Sequence, residues 1–258
     1  MGQKLEKQIL KVNGVDIAYR FDGPTDGHVV MMANSLMSDC SMWDWNVPAL
    51  TDRYRVLRFD KRGHGDSQTT PAPYSIPQLA DDAVALLDAL KIDKVHFIGL
   101  SMGGMIGQII AAKYPERVLS LGVLFSSNNQ PMLPPPHPKA FFPLIKGPGA
   151  KAPRDVLLNH SVKLFTAIGS PAHPMTPDEI RVFAGGLMDR SFHPAGVKRH
   201  FLAVMGTGNI KSLAKHIHVP TIVVHGKEDR LLRPACGKAV AKSIKGAKFE
   251  LIEGMGHD

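Results

Sequence analysis

Gly99-Leu100-Ser101-Met102-Gly103 stands between an apolar run, residues 94–100, and a small-residue stretch that reads as a helix. A serine on a sharp strand-to-helix turn is held clear of its sheet, and glycines beside it remove Cβ atoms that would collide there. The N-terminus of the following helix points at such a serine, where developing negative charge is favoured. The stretch therefore predicts that Ser101 is a nucleophile. Its weight comes from standing between a strand and a helix, because Gly-x-Ser-x-Gly alone is a short string.

Outward from this turn, apolar β-branched runs alternate with amphipathic stretches, the pattern of a mostly parallel sheet with helices on both faces. Residues 5–12, then Asn13-Gly14, then 15–21 read as a hairpin, since Asn-Gly favours the tight turn between twisted strands. Residues 28–34, 54–60, 94–100, 118–126, 220–226 and 247–253 read as further strands. Ser75-Ile76-Pro77-Gln78 opens a helix with a capping serine and a proline in its first turn. Leu79, Ala83, Leu86, Leu87 and Leu90 form its apolar stripe.

Residues 128–218 interrupt the alternation. They begin proline-rich (Pro131, Pro134, Pro135, Pro136, Pro138, Pro143) and continue as several short helices. The expected organisation is a core of residues 1–127 and 219–258 with a helical cap, 128–218, over the strand ends where open α/β sheets bind ligands.

A serine nucleophile needs a base, and the base an orienting carboxylate; on a sheet of this kind the chain order is Ser, acid, His. Asp229 lies just beyond the run ending His225-Gly226, with Glu228 as its neighbouring rival. His257 follows the last run behind Gly254-Met255-Gly256, small residues that let the loop fold back over the serine. With twelve histidines in the chain, His257 is picked by position and order. The expected triad is Ser101, Asp229 and His257. The oxyanion donors are expected to be the backbone N–H groups of Met102 and Leu36.

Five stretches then carry a resemblance: Met32-Ala33-Asn34-Ser35-Leu36, Asp60-Lys61-Arg62-Gly63-His64-Gly65-Asp66-Ser67, Gly99 to Gly104, His225 to Asp229, and Gly254 to His257. They span the core on both sides of the insertion. By them the chain resembles the α/β-hydrolase superfamily and, within it, 3-oxoadipate enol-lactonases and small carboxylesterases and methylesterases. The resemblance implies an α/β-hydrolase fold, and it implies that residues 60–67 form a structural loop, so His64 is not counted as catalytic. Many superfamily members carry His-Gly where this chain has Asn34-Ser35, and the enol-lactonases resemble it there. Family members usually continue past the histidine into a final helix, whereas this sequence stops at Asp258. Either residues are missing, or the last strand and the His257 loop lack cover, exposing apolar surface and holding the base loosely.

Composition narrows the rest. The chain has 258 residues, 44% apolar and 21% charged, ordinary for a globular enzyme. No apolar run approaches the roughly 20 residues that cross a bilayer, and Met1 to Lys7 is polar with no apolar h-region after it. Two distant cysteines, Cys40 and Cys236, read as reduced thiols of a cytoplasmic protein. The net charge of +8 comes largely from scattered lysines such as Lys211, Lys215, Lys227, Lys238, Lys242, Lys245 and Lys248. That is a solvated surface, without the Arg-rich or aromatic-interleaved stripe that tracks nucleic acid.

His216-Ile217-His218 places two rings on one side in an extended chain, but no third metal ligand is evident, and two surface or loop histidines are the better reading. Gly103-Gly104 lacks the third glycine and the acid of a dinucleotide site. Met31, Met32, Met37, Met102 and Met105 read mainly as core, with an adaptable pocket wall as a second reading. Trp43 and Trp45 either close the pocket or pack beneath the first helix. Ser35, Trp43, Phe141, Phe142, Leu187 and Met188 are the expected substrate contacts.

The function read from these residues is two-step hydrolysis of a small carboxylic ester or lactone, needing no cofactor and no metal. A cofactor-free perhydrolase of haloperoxidase type and a carbon–carbon bond hydrolase share the same triad and stand as alternatives. A haloalkane dehalogenase would carry Asp in place of Ser101. A ligand-binding receptor or pseudoenzyme is the alternative of another class. Oligomeric state and substrate identity stay open at this level.

Overall fold

The computed structural model describes residues 7–258. Eight strands form one sheet in the order β1-β2-β4-β3-β5-β6-β7-β8. β1 (Gln8–Val12) and β2 (Val15–Asp22) are the expected hairpin, turned by Asn13 and Gly14 at φ 49° and 74°; residues 5 and 6 of the expected strand lie outside the described residues. Both central turn residues have positive φ, as a twist-matched two-residue turn requires. β2 lies antiparallel to β4, and the remaining strands are parallel.

β3 (His28–Ala33), β4 (Tyr54–Phe59), β5 (Val95–Leu100) and β6 (Val118–Leu124) form the centre. β7 (Thr221–Gly226) and β8 (Lys248–Ile252) complete one edge. After β3 the chain steps to β4 on one side, and β5 then pairs with β3 on the other. The strand order reverses there, and the crevice at such a reversal is where open α/β sheets place ligands. Ser101 follows the last residue of β5, so the expected nucleophile stands at the switch point.

Helices cover both faces. α1 (Ile76–Ala89) begins where Ser75 Oγ accepts the Gln78 N–H at 3.2 Å, with Pro77 in the first turn. It buries Leu79, Ala83, Leu86 and Leu87 against α2 (Met102–Lys113), whose Ile106, Ile109 and Ile110 share the main core with Met31, Phe97, Met102 and Met105. Between β6 and β7 come α3 (Pro138–Ile145), α4 (Arg154–Ile168), α5 (Pro177–Arg190) and α6 (Pro194–Gly206). α7 (Pro234–Ser243) packs on β7. No helix among the described residues is long and apolar enough to cross a membrane.

The inserted helices reach the strand ends through a small apolar cluster of their own. Ala140, Leu164 and Ile168 pack with Met37 from the loop after β3 and Leu231 from the loop after β7. α6 docks on the loop after β4: His200 Nε2 faces the Arg62 carbonyl at 2.8 Å, and Ser191 Oγ, just before α6, donates to Gly65 O at 2.7 Å. His64 and His200 meet there, both buried, their rings 6.0 Å apart and each Nδ1 without a partner among the described residues. Burial first, and the nearby Lys61 charge second, push both imidazoles down to about 3.

That docking predicts acid lability. In the unfolded chain these histidines titrate near 6.5, so the neutral pair contributes its full stability above that pH and loses it as pH falls towards 3. Each should cost about 2 kcal/mol between pH 7 and pH 5. Urea unfolding of the parent and of His200→Asn over that interval checks it. The variant's loss should be smaller by about 2 kcal/mol, and equal losses would contradict the assignment.

The seven lysines named above are all exposed, as a solvated surface requires. Cys40 and Cys236 are buried free thiols. Trp45 is 87% exposed, so it neither closes a pocket nor packs beneath a helix, against expectation. His216 ends a 3-10 turn, Lys211–His216, rather than a strand, and both it and His218 are exposed, as surface histidines should be.

Candidate active site

Ser101 has φ 53° and ψ −113°, a strained left-handed-side conformation forced by the passage from β5 into α2. The turn needs its glycines. A Cβ on Gly99 would lie 2.1 Å from the Gly103 carbonyl oxygen, and one on Gly103 would lie 2.2 Å from the Ala33 carbonyl oxygen. These close approaches also bring the end of β3 against the first turn of α2. The Ser101 N–H donates to Leu124 O at 2.8 Å and its carbonyl accepts from Ser126 Oγ at 2.7 Å, so the turn is pinned to β6.

The structure brings Ser101, His257 and Asp229 together. His257 Nε2 is 3.1 Å from Ser101 Oγ, and His257 Nδ1 is 2.7 Å from Asp229 Oδ2. Asp229 is buried at the end of β7, where its Oδ1 accepts the N–H groups of Leu231 and Leu232, both at 2.8 Å. His225 Nε2 lies 3.2 Å from Asp229 Oδ2. Burial would raise the Asp229 carboxyl, but His257 and His225 beside it more than offset this and hold it at about 2. It is therefore ionised throughout the neutral range. Glu228, the rival, is exposed.

The sequence left two possibilities after Asp258, missing residues or a loosely held base, and the contacts of His257 do not fit a loosely held base. Leu251 and Ile252 of β8 are each 40% exposed. His257 itself is buried, and its N–H donates to Ile168 O at 2.8 Å. Ser170 accepts the Gly256 N–H at 2.9 Å, while its own N–H and Oγ donate to the Asp258 carboxylate. The end of α4 thus ties down the loop that carries the base. A cleft lined by Phe165, Ser170, Met175, Ile180, Arg230 and Asp258 adjoins this tie and contains none of the three.

Leu36 and Met102 are where the expected oxyanion donors should be. Met102 is the first residue of α2, where N–H groups have no partner within the helix. Leu36 sits in the loop after β3. Neither amide donates to an acceptor among the described residues. The loop is braced from below: Trp43, also expected as a substrate contact, is 3% exposed, and its indole N–H donates to Asn34 Oδ1 at 3.0 Å. Asn34 Nδ2 in turn donates to Phe59 O at 2.9 Å. Ser35 is half-buried, its N–H on Met42 Sδ.

Of the other expected contacts, Phe141 in α3 and Leu187 and Met188 in α5 are half-buried. Phe142 is 51% exposed with the Lys146 ammonium over its ring. Among the described residues one metal-like group occurs, Asp39, Cys40 and Asp60. The Asp60 oxygens already accept the N–H groups of Cys40 and Asp66, and Asp39 Oδ1 accepts from Ser41 and Arg190. Those carboxylates brace loops.

The sequence profile of the family described as alpha/beta hydrolase fold matches residues 33–258. The chain belongs to the α/β-hydrolase family. Within the family it is similar to 3-oxoadipate enol-lactonase 2 of Acinetobacter baylyi, at 41% identity over 111 residues, 43% of this chain. The matched stretch spans 42% of that lactonase's length, less than half. It is also similar to the crystal structure of the enol-lactonase from Burkholderia xenovorans LB400, at 28% identity and TM-score 0.78, covering 97% of this chain and 93% of that one. A crystal structure of a hydrolase from Pseudomonas aeruginosa PA01 is similar at 29% identity and TM-score 0.80, covering 98% and 92%.

Proposed function

We propose that this α/β-hydrolase cleaves a small carboxylic ester or lactone through an acyl-enzyme on Ser101. The observation that carries the proposal is the hydrogen-bond chain from Ser101 Oγ through His257 to Asp229, at 3.1 and 2.7 Å, beside two amides with no acceptor among the described residues. His257 Nε2 takes the Ser101 proton as Oγ attacks the carbonyl carbon. The imidazolium so formed is stabilised by ionised Asp229, which also keeps the Nδ1 proton in place. Leu36 and Met102 amides receive the oxyanion, and His257 passes its proton to the departing oxygen. Water, deprotonated by His257, then releases the acid and regenerates Ser101. A lactone follows the same course, with the alcohol and acid emerging as one molecule.

The helices of residues 128–218 act as a cap in this proposal. They meet Met37 and Leu231 on either side of the strand ends, and Phe141, Leu187 and Met188 supply apolar groups for the acyl or alcohol part. The likeness to two enol-lactonases supports the lactone half of the proposal.

Initial rates on a fixed panel test it: a short p-nitrophenyl ester, a methyl ester, a five-membered enol-lactone, acetate with peroxide, and a vinylogous diketone acid. The expected result is hydrolysis of the esters or the lactone at a kcat/KM at least tenfold above either other reaction. Faster peracid formation, or faster carbon–carbon cleavage, would replace the proposal with that chemistry. Tight binding of panel compounds with no turnover would favour a receptor.

A further inference from the structure

Lys61 lies beneath the loop that carries Ser35 and Leu36. It is 2% exposed, and its ammonium makes no salt bridge among the described residues; the Asp60 oxygens accept the Cys40 and Asp66 N–H groups. Burying an ammonium costs several kcal/mol, so an apolar side chain would serve the core better unless the charge has a task. Its hydrogen bonds show what it holds. Lys61 Nζ donates to Asn34 O and Ser35 O, both at 3.1 Å. Ser38 Oγ, with one proton to give, lies 3.0 Å from the same Ser35 oxygen and 3.0 Å from Met42 Sδ.

The Ser35 carbonyl and the Leu36 N–H belong to one peptide. That peptide is trans, the Ala72–Pro73 bond being the cis bond of the described chain. In a planar trans peptide the C=O and N–H point in opposite directions. Donors holding the Ser35 oxygen towards Lys61 and Ser38 therefore turn the Leu36 N–H the other way, and it meets no acceptor among the described residues. A charged donor on the carbonyl also polarises the peptide and strengthens its N–H as a donor.

We propose that Lys61 is a positioning residue for the oxyanion hole, clamping the Ser35–Leu36 peptide so that its N–H faces the developing oxyanion. The inference rests on Ser101 being the nucleophile and Leu36 an oxyanion donor. Asp60, Asp39 and Cys40 lie on the acidic side of the ammonium, and His64 and His200 face it as neutral rings. Burial draws the Lys61 ammonium down, Asp60 and Asp39 resist, and it settles at about 8, so it is charged at neutral pH. Lys61 stands within the stretch Asp60 to Ser67 that carries the resemblance, but nothing in its spacing said which loop it would reach.

Lys61→Met, Lys61→Gln and Ser38→Ala test it, with kcat, KM and the inhibition constant of a trifluoromethyl ketone that matches the acyl group. Removing an oxyanion donor costs about 100- to 1,000-fold in kcat. Releasing one should cost less, so Lys61→Met is expected to lose about 10- to 100-fold in kcat with KM within about twofold. The ketone, bound as its tetrahedral oxyanion, should weaken in proportion. Lys61→Gln, whose amide still donates to both carbonyls, should recover most of the loss, and Ser38→Ala should lose severalfold in kcat alone. If Lys61→Met does not fold, the other two variants decide. Folded variants with the parent's kcat and ketone affinity would overturn the inference while leaving Ser101 as nucleophile. A parent that neither hydrolyses the panel esters nor reacts with a fluorophosphonate would instead overturn the nucleophile, and this inference with it.

Discussion

Ser101→Ala is expected to lower kcat by about five to six orders of magnitude while leaving the fold and KM nearly unchanged. Among the described residues the side chain has one hydrogen-bond partner, His257, and the bonds that shape the turn are made by the Ser101 backbone to Leu124 and Ser126, which alanine keeps. Alanine at φ 53° carries the same backbone strain as serine, so the melting temperature should move little. What remains should be catalysis by the oxyanion donors and by binding, about 1,000-fold or more above water. Steady-state rates on the p-nitrophenyl ester, corrected for spontaneous hydrolysis, check this. A variant within a hundredfold of the parent would mean that another group attacks the carbonyl.

Asp229→Asn should cost about four orders of magnitude in kcat, from a change of one atom. Asp229 Oδ1 is claimed by the Leu231 and Leu232 amides, which need an acceptor. Asparagine would keep its carbonyl oxygen there and turn its NH2 towards His257. The imidazole would then accept at Nδ1 and carry its proton on Nε2, the atom that must receive the proton of Ser101. The protein would be intact with its base in the wrong tautomer. Glu228→Gln, at an exposed position, should stay within twofold of the parent. Asp229→Asn retaining more than a tenth of the parent's kcat would remove Asp229 from the mechanism.

That Ser101, Asp229 and His257 would meet was legible because each sits just past a strand whose apolar run is plain, and their chain order allows few assignments. β3 to β8 were readable for the same reason, each within about two residues of its ends. The glycines at 99 and 103 were legible as turn chemistry, and the carbonyls of Gly103 and Ala33 give the reason. Contacts between distant segments were not. Nothing near His257 in sequence announces that Ile168 and Ser170, at the end of α4, will hold its loop, so a loosely held base stood as one of two alternatives. Trp43 and Trp45 look alike two residues apart, yet one is buried on Asn34 and the other faces solvent. Which of them faces inward depends on a 3-10 turn, Cys40–Trp43, that has no apolar period to read. Lys61 stayed hidden because its work is done on backbone carbonyls, which carry no residue identity.

The central claim is that the Ser101 hydroxyl, activated by His257, is the nucleophile, and fluorophosphonate labelling followed by peptide mass mapping measures it most directly. One adduct per chain is predicted, on the peptide containing Ser101, appearing at the rate at which ester hydrolysis is lost, and absent from Ser101→Ala. An adduct on a different residue, or hydrolysis that persists in protein fully labelled at Ser101, would contradict the account.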